Sequence, residues 1–335
     1  MKILLVKLSS LGDIVHTLPV VHDILAAMPD AQIDWVVEKA FAPLLTQVAG
    51  IGRIIPCELR RWRKSFWTAQ ARTEWRAFKA DLQSDTFDAV IDLQGLTKSA
   101  VVARLAKLAP QGKRYAMANR TDGSGYEAPT RWVADVAIKL APHVHAVQRG
   151  RELAALSLGY SLPVDISYGL KIQSNRPLAQ LNIAHPATKT IAFIHGSSRP
   201  DKTWPLQHWV ELGQRLAGSS YQAVLVHGNA PELATSQAIA AQLATSTVLP
   251  MLSLGALTQQ LATCRGAIGV DSGVSHIAVA LGLPHVQIYN FDTAWRTGPQ
   301  GCAHQVSVFA QPCPTVDAVW QAWLQREKSV ESRAP

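Results

Sequence analysis

Lys2-Ile3-Leu4-Leu5-Val6-Lys7-Leu8-Ser9-Ser10-Leu11-Gly12-Asp13-Ile14-Val15-His16-Thr17-Leu18-Pro19 decides the fold class of this chain. Ile3–Leu8 is a short, nearly continuous apolar run, the signature of a strand buried on both faces. A small polar loop, Ser9 to Asp13, follows it. Ile14, Leu18, Val21, Leu25 and Met28 then recur at helical spacing on one face. Pro19 falls inside that pattern, where its missing N–H predicts a kink or a fresh first turn. Strand, tight polar loop and helix together form the opening of a βαβ unit.

The same alternation continues outward. Further strands are expected at Ile33–Val37, Ile51–Pro56 and Ala89–Leu93, with helices over Thr68–Leu82 and Lys98–Leu108. Gln173–Lys189 changes character, with Asn175, Pro177, Asn182 and Pro186 and weak periodicity, so it is read as a linker. Strands resume at Ile191–His195, Ala223–His227, Ala267–Val270 and Val286–Tyr289, between helices at Leu206–Ala217, Pro231–Ala244, Leu257–Cys264 and Ser275–Leu281, and Val316–Arg326 closes the chain. The expectation is an α/β protein of two doubly wound parallel sheets, residues 1–172 and 173–335, with ligands beyond the carboxyl ends of the strands.

Length and composition agree with this. A chain of 335 residues exceeds what one core usually organises. The net charge of +8 is uneven: residues 1–150 hold 20 Lys/Arg against 14 Asp/Glu, and residues 53–79 alone hold eight bases and two acids. Such a local field attracts phosphorylated or carboxylated partners, although a solvated basic face has the same composition. Cys57, Cys264, Cys302 and Cys313 are scattered, which fits free thiols rather than a disulfide or zinc framework. No Asp-x-Asp and no His/Cys cluster points to a bound metal. The apolar N-terminal run is interrupted at Lys7, and no stretch approaches the roughly 20 apolar residues of a membrane span. A cytoplasmic protein is expected, with any membrane contact peripheral.

Three strand–loop–helix junctions carry groups suited to chemistry. In the first, Asp13 is either an ordinary N-cap or a base beside a ligand, and the helix N-terminus lowers its pKa in both cases. Gly12 lets a ligand approach the backbone, and the loop lacks the GxGxxG dinucleotide fingerprint. In the second, His195–Pro205, Ser197 and Ser198 offer hydroxyl and N–H groups and Lys202 a point charge, together suited to a diphosphate or simply to a surface loop. In the third, Gly269–His276, a helix begins near Ser272. Its N-terminus can hold an anion, Gly273 allows close approach, and Asp271 can bond sugar hydroxyls. Glu232, after another strand, can accept from a ribose diol or be an ordinary first-turn helix acid. Arg60-Arg61-Trp62-Arg63-Lys64 sets a partner's charge without naming it: an anionic membrane surface and a stacked base fit equally. A non-catalytic nucleotide binder is the alternative class to an enzyme.

Taken together, Lys7–Pro19, Arg60–Lys64, Ala89–Ala100, Arg151–Tyr160, Phe193–Pro205 and Val270–Gly282 resemble the lipopolysaccharide heptosyltransferases of glycosyltransferase family 9. The RRWRK and SSLGD segments favour the type I branch. The resemblance implies a GT-B fold, two Rossmann-like domains facing a central cleft, in which the last helix can return to the first domain. It implies metal-independent, inverting transfer of heptose from ADP-L-glycero-β-D-manno-heptose to Kdo2-lipid A, with no cofactor and no nucleic-acid partner. The protein would sit peripherally on the cytoplasmic face of the inner membrane. By position, Asp13 and Lys202 would be catalytic. Ser197, Ser198, Lys202, Glu232, Leu252, Asp271, Ser272, Gly273 and His276 would hold the donor. Leu252 stands where the family commonly has a methionine near the adenine. Ser10, Gly12, Arg60, Arg61, Arg63, Lys64 and Arg120 would meet the acceptor.

Overall fold

The computed structural model describes residues 1–171 and 189–331. The chain divides into two compact units, Met1–Lys171 and Ile172–Pro335. The linker read at Gln173–Lys189 and the boundary placed at 172/173 fall, Lys189 apart, outside the described residues.

The first unit runs β1 (Lys2–Val6), α1 (Leu11–Thr17), α2 (Pro19–Ala27), β2 (Gln32–Glu38), α3 (Ala42–Leu45), β3 (Ile51–Cys57), α4 (Leu59–Lys64), α5 (Ala69–Leu82), β4 (Thr86–Asp92), α6 (Thr97–Leu105), β5 (Lys107–Met117), α7 (Pro129–Val133), β6 (Val136–Ile138) and α8 (Ala146–Leu158). Its six strands are parallel in the order β3-β2-β1-β4-β5-β6. Leu4, Val6, Val36, Ile55 and Val90 on one face of that sheet pack against Trp62, Phe78 and Val102 of the covering helices.

The helix expected from Ile14 to Met28 is two helices. Pro19 is the first residue of α2, and the Leu18 N–H turns back to the Val15 carbonyl at 3.1 Å. Proline has no N–H for that carbonyl and its ring crowds it, so the chain restarts rather than continues. The helix expected at Lys98–Leu108 stops at Leu105. Ala106 is extended, and β5 carries Pro110 and Gly112 across a register shift opposite Phe87 and Ala89. A polar strand containing both residues has no strand signature, and the bulge is what admits them.

One buried ion pair ties the two outer helices of the other face. Arg151 of α8 donates to both oxygens of Asp23 on α2, at 2.6 and 3.0 Å, and to the Pro163 and Asp165 carbonyls at 2.8 and 3.0 Å. Both side chains are 3% exposed. Arg151→Met leaves the Asp23 carboxylate buried without its partner, so it is expected to cost the first unit about 3–5 kcal/mol, read as a lower urea midpoint. An unchanged midpoint would show that the pair contributes nothing.

The second unit repeats the plan: β7 (Lys189–Ile194), α9 (Leu206–Gly218), β8 (Tyr221–Leu225), α10 (Ala230–Ala240), β9 (Ser246–Val248), α11 (Leu254–Leu261), β10 (Gly266–Val270), α12 (Gly273–Ala280), β11 (His285–Tyr289), α13 (Ala294–Thr297), β12 (Gln305–Phe309) and α14 (Val316–Glu331). The strand order is β12-β11-β10-β7-β8-β9, all parallel. The last helix, expected to be able to return to the first domain, packs on α9, β11 and β12 of its own unit, with Val319 and Trp323 in the core beside Ile268 and Val286.

Both sheets therefore have the doubly wound order in which the first strand lies beside the fourth. The connections after those two strands leave in opposite directions, and this opens a crevice at the carboxyl ends of β1 and β4, and again of β7 and β10.

Candidate active site

In the first unit, the crevice is stapled from both sides. Asp92, the last residue of β4, accepts from the Gln94 and Gly95 N–H groups at 2.9 and 3.2 Å and from Ser99 Oγ at 3.0 Å. Gln94 Oε1 in turn accepts from the Leu8 and Ser9 N–H groups, both at 3.1 Å. Lys98 Nζ donates to Ser9 Oγ at 2.7 Å. The loop after β1 is thus fixed by the loop after β4, and it delivers Asp13 to the first turn of α1.

Asp13 Oδ2 accepts from the Ser10 N–H at 3.1 Å and from Ser10 Oγ at 2.8 Å. Oδ1 faces the nearly buried Arg149 of α8 at 3.8 Å, and the Asp13 side chain is 37% exposed. The N-cap of α1 is Ser10 rather than Asp13, which is the third helical residue and closes a capping box through Oδ2 while Oδ1 faces Arg149. Burial pushes the Asp13 carboxyl up, but Lys7, the two Ser10 bonds and Arg149 outweigh it and hold the pKa below the usual value. Lys7 lies buried behind the loop, its Nζ on the Leu93 carbonyl at 2.9 Å. Burial lowers its pKa to about 8, against the pull of Asp13. Burial also raises Asp92 to about 6.

The basic residues sit at the same end of this sheet, α4 following directly from β3. Arg60, Arg63 and Lys64 are exposed. Arg61, expected with them at the acceptor, is clamped by Glu58 and Glu74. Glu74 also accepts from Trp62 Nε1 at 2.8 Å, so this arginine locks α4 onto α5. Arg120 is exposed after β5, next to the buried Thr121, whose Oγ1 lies 3.4 Å from Arg149 Nη1.

In the second unit, Lys202 and Asp271 meet across the crevice. Lys202 follows β7, Asp271 follows β10, and Nζ lies 2.5 Å from Oδ2. His276 of α12 lies 3.4 Å from Asp271 Oδ1, and both side chains are buried. Burial raises the Asp271 carboxyl, yet His276 and Lys202 together hold it far below the ordinary range. Ser272 is the N-cap of α12, its hydroxyl accepting from the Ser275 N–H, with Gly273 the first helical residue. The turn carrying Lys202 is pinned in place. Asn290 donates to the Asp201 and Thr203 carbonyls at 3.0 and 2.9 Å, and Trp204 is buried with its Nε1 on the Pro314 carbonyl. Ser197 is half-buried and Ser198 exposed on the same loop.

Next along the edge, Glu232 accepts from the Gly228 N–H at 2.7 Å. A Cβ at Gly196 would lie 2.6 Å from the Glu232 carboxyl carbon, so this carboxylate reaches the end of β7 only because residue 196 is glycine. Beside it a cavity of about 520 Å³ is walled by His227, Asn229, Leu233, Val248, Pro250 and Met251. Leu252, expected in this region, is half-buried and not on that wall. The methionine exposed there is its neighbour Met251, because the segment after β9 turns residue 251 outward before Ser253 caps α11.

Sequence reading missed the supporting groups. Asp92, Gln94 and Lys98 lie in a segment that carried the family resemblance, and polar residues just past a buried strand were the available signal. Arg149 reaches Asp13 from a helix far along the chain, and no local pattern announces it.

Comparison with known proteins agrees with the geometry. The profile of Glycosyltransferase family 9 (heptosyltransferase) matches residues 75–318. Lipopolysaccharide heptosyltransferase 1 of Pseudomonas aeruginosa is 37% identical over 308 residues, covering 90% of this chain and 82% of that protein. The structure of E. coli heptosyltransferase WaaC with ADP superposes with a TM-score of 0.84 at 34% identity, over 97% of this chain and 100% of that one. The same enzyme with ADP-2-deoxy-2-fluoro heptose gives 0.78 at 33% identity, over 100% of both chains. With both sheets parallel and doubly wound as expected and the family profile spanning most of the chain, this protein belongs to glycosyltransferase family 9, the heptosyltransferases.

Proposed function

We propose that this glycosyltransferase moves L-glycero-D-manno-heptose from ADP-heptose to Kdo2-lipid A in lipopolysaccharide inner-core synthesis, with inversion and without a metal. The reading places the enzyme in the cytoplasm, in peripheral contact with the inner membrane. The observation that carries it is the Lys202–Asp271–His276 cluster at the crevice of the second sheet, beside the N-terminus of α12. A cation and a helix N-terminus suit a diphosphate, and a buried, ionised carboxylate suits sugar hydroxyls. The E. coli relative at 34% identity was solved with ADP, which supports a donor of this class.

In this reading the second unit holds the donor. Ser197, Ser198, Lys202, Ser272 and Gly273 meet the diphosphate, Asp271 and His276 the heptose, Glu232 the ribose, and the Met251 cavity the adenine. The first unit holds the acceptor. Arg60, Arg63, Lys64 and Arg120 face its anionic groups, and Ser10 and Gly12 line its approach to Asp13. Asp13 takes the proton of the attacking hydroxyl as the oxygen bonds to the anomeric carbon. The carbon–oxygen bond to ADP breaks with its electron pair going to the diphosphate, whose charge Lys202 and the α12 N-terminus stabilise.

Turnover with ADP-heptose and deacylated Kdo2-lipid A in EDTA tests this. Acceptor-dependent ADP release and an acceptor gaining one heptose are expected. Transfer only to an already heptosylated core would move the protein to a later step, and dependence on added metal would overturn the metal-free part.

The donor site gives a second expectation. Gly196→Ala pushes the Glu232 carboxylate off the end of β7, so ADP affinity should fall about tenfold, one charged hydrogen bond's worth, by calorimetry. Unchanged affinity would remove Glu232 from the donor site.

A further inference from the structure

We propose that the corner between α4 and α5 is a lipid anchor: it enters an anionic bilayer through Phe66 and Trp67, and the cavity beneath it takes a phospholipid acyl chain. This deepens the peripheral membrane contact proposed above by naming the element that makes it.

Phe66 and Trp67 lie on this corner with 56% and 74% of their surfaces exposed. Two adjacent large aromatics held out in solvent are costly unless something covers them. Below them a cavity of about 460 Å³ is lined by Trp62, Phe66, Trp75, Leu96 and Val101, with Arg60, Arg63 and Lys98 completing its wall. The lining thus combines apolar side chains with the exposed Arg60 and Arg63, which matches a lipid with an anionic headgroup over a hydrocarbon chain. Val101 of α6 adds a further half-exposed apolar side chain.

The wall is rigid. Trp62 packs against Trp75 and Phe78 with ring centroids 5.8 and 5.5 Å away, and Glu74 fixes both Trp62 and Arg61. With Arg61 spent on carboxylates, Arg60, Arg63 and Lys64 remain as the exposed cations of α4. Aromatic side chains at headgroup depth, flanked by Arg and Lys, are the composition of an interfacial anchor. Lys98 connects the anchor to the chemistry. It lines the cavity and also holds Ser9 Oγ at 2.7 Å, in the loop that delivers Asp13. A chain docked here presents the Asp13 crevice to the lipid surface that carries the acceptor.

Vesicle co-sedimentation tests the proposal, with phosphatidylglycerol/phosphatidylcholine vesicles against phosphatidylcholine alone. Wild type should bind the anionic vesicles and barely bind the zwitterionic ones. The double variant Phe66→Ser/Trp67→Ser should lose about tenfold in binding, with its thermal midpoint and its turnover of deacylated acceptor unchanged. Val101→Phe, which narrows the cavity, should also weaken binding. Full binding by the double variant overturns the anchor, as does equal binding to both vesicle types. Full binding by Val101→Phe overturns the acyl-chain occupant. Absent vesicle binding, with a dimer in sedimentation velocity that the double variant dissolves, would assign the face to a second copy of the chain. The vesicle assay needs no turnover, so its failure is distinguishable from failure of the transfer reading.

Discussion

Asp13→Asn lowers kcat by about 10²–10⁴-fold while donor affinity stays within a factor of about two, if Asp13 is the base. The asparagine keeps an oxygen to accept from Ser10 and so preserves the cap, but it cannot take a proton. If Asp13 serves only to cap α1, Asp13→Asn retains nearly full activity. The structure makes the two roles compatible, because both Ser10 bonds fall on Oδ2 while Oδ1 is turned to Arg149 at 3.8 Å. The pH profile adds a sign. The pKa of this carboxyl is held below its usual value, chiefly by Lys7 once burial is offset. The ionised form therefore persists as pH falls, and is lost only below the ordinary carboxylate value of about 4. The acid limb of kcat/KM should lie under that value, and Lys7→Met should move it upward. An acid limb near neutrality would exclude Asp13 as the titrating group.

Lys202→Ala should lower kcat by about 10²–10³-fold and weaken ADP binding as well, since the same ammonium meets the diphosphate in the ground state and the departing charge in the transition state. A second consequence follows from the geometry. Asp271 loses the partner at 2.5 Å and keeps His276, so its carboxyl pKa should rise from its depressed position. Lys202→Arg should restore part of the binding and less of the turnover, because a planar fork cannot occupy the position of a compact ammonium. Turnover unaffected by Lys202→Ala would remove the lysine from leaving-group stabilisation.

How much of this was readable without coordinates depends on range. The buried runs of β1, β4, β7 and β10 and the polar residues just after them are contiguous in sequence, so Asp13, Lys202 and Asp271 could be picked out one junction at a time. That Lys202 and Asp271 touch is a product of strand order, which brings β7 beside β10. The basic run of α4 was read as four equivalent charges. Glu58 and Glu74 single out Arg61, and no composition argument pairs it with a carboxylate thirteen residues on. The short or half-exposed strands β6, β9 and β12 and the bulged β5 escaped because strand pattern rests on burial and regular pairing. At Leu252 it is the neighbouring Met251 that lines the cavity, since position along the chain does not say which neighbour faces it.

The central claim is a single displacement at the anomeric carbon, with Asp13 as base and ADP as leaving group. Proton NMR of the heptosylated acceptor made from ADP-L-glycero-β-D-manno-heptose tests it most directly. The account predicts an α-linked product, the inverted configuration. A β-linked product, with retained configuration, would exclude a single back-side displacement and would contradict it.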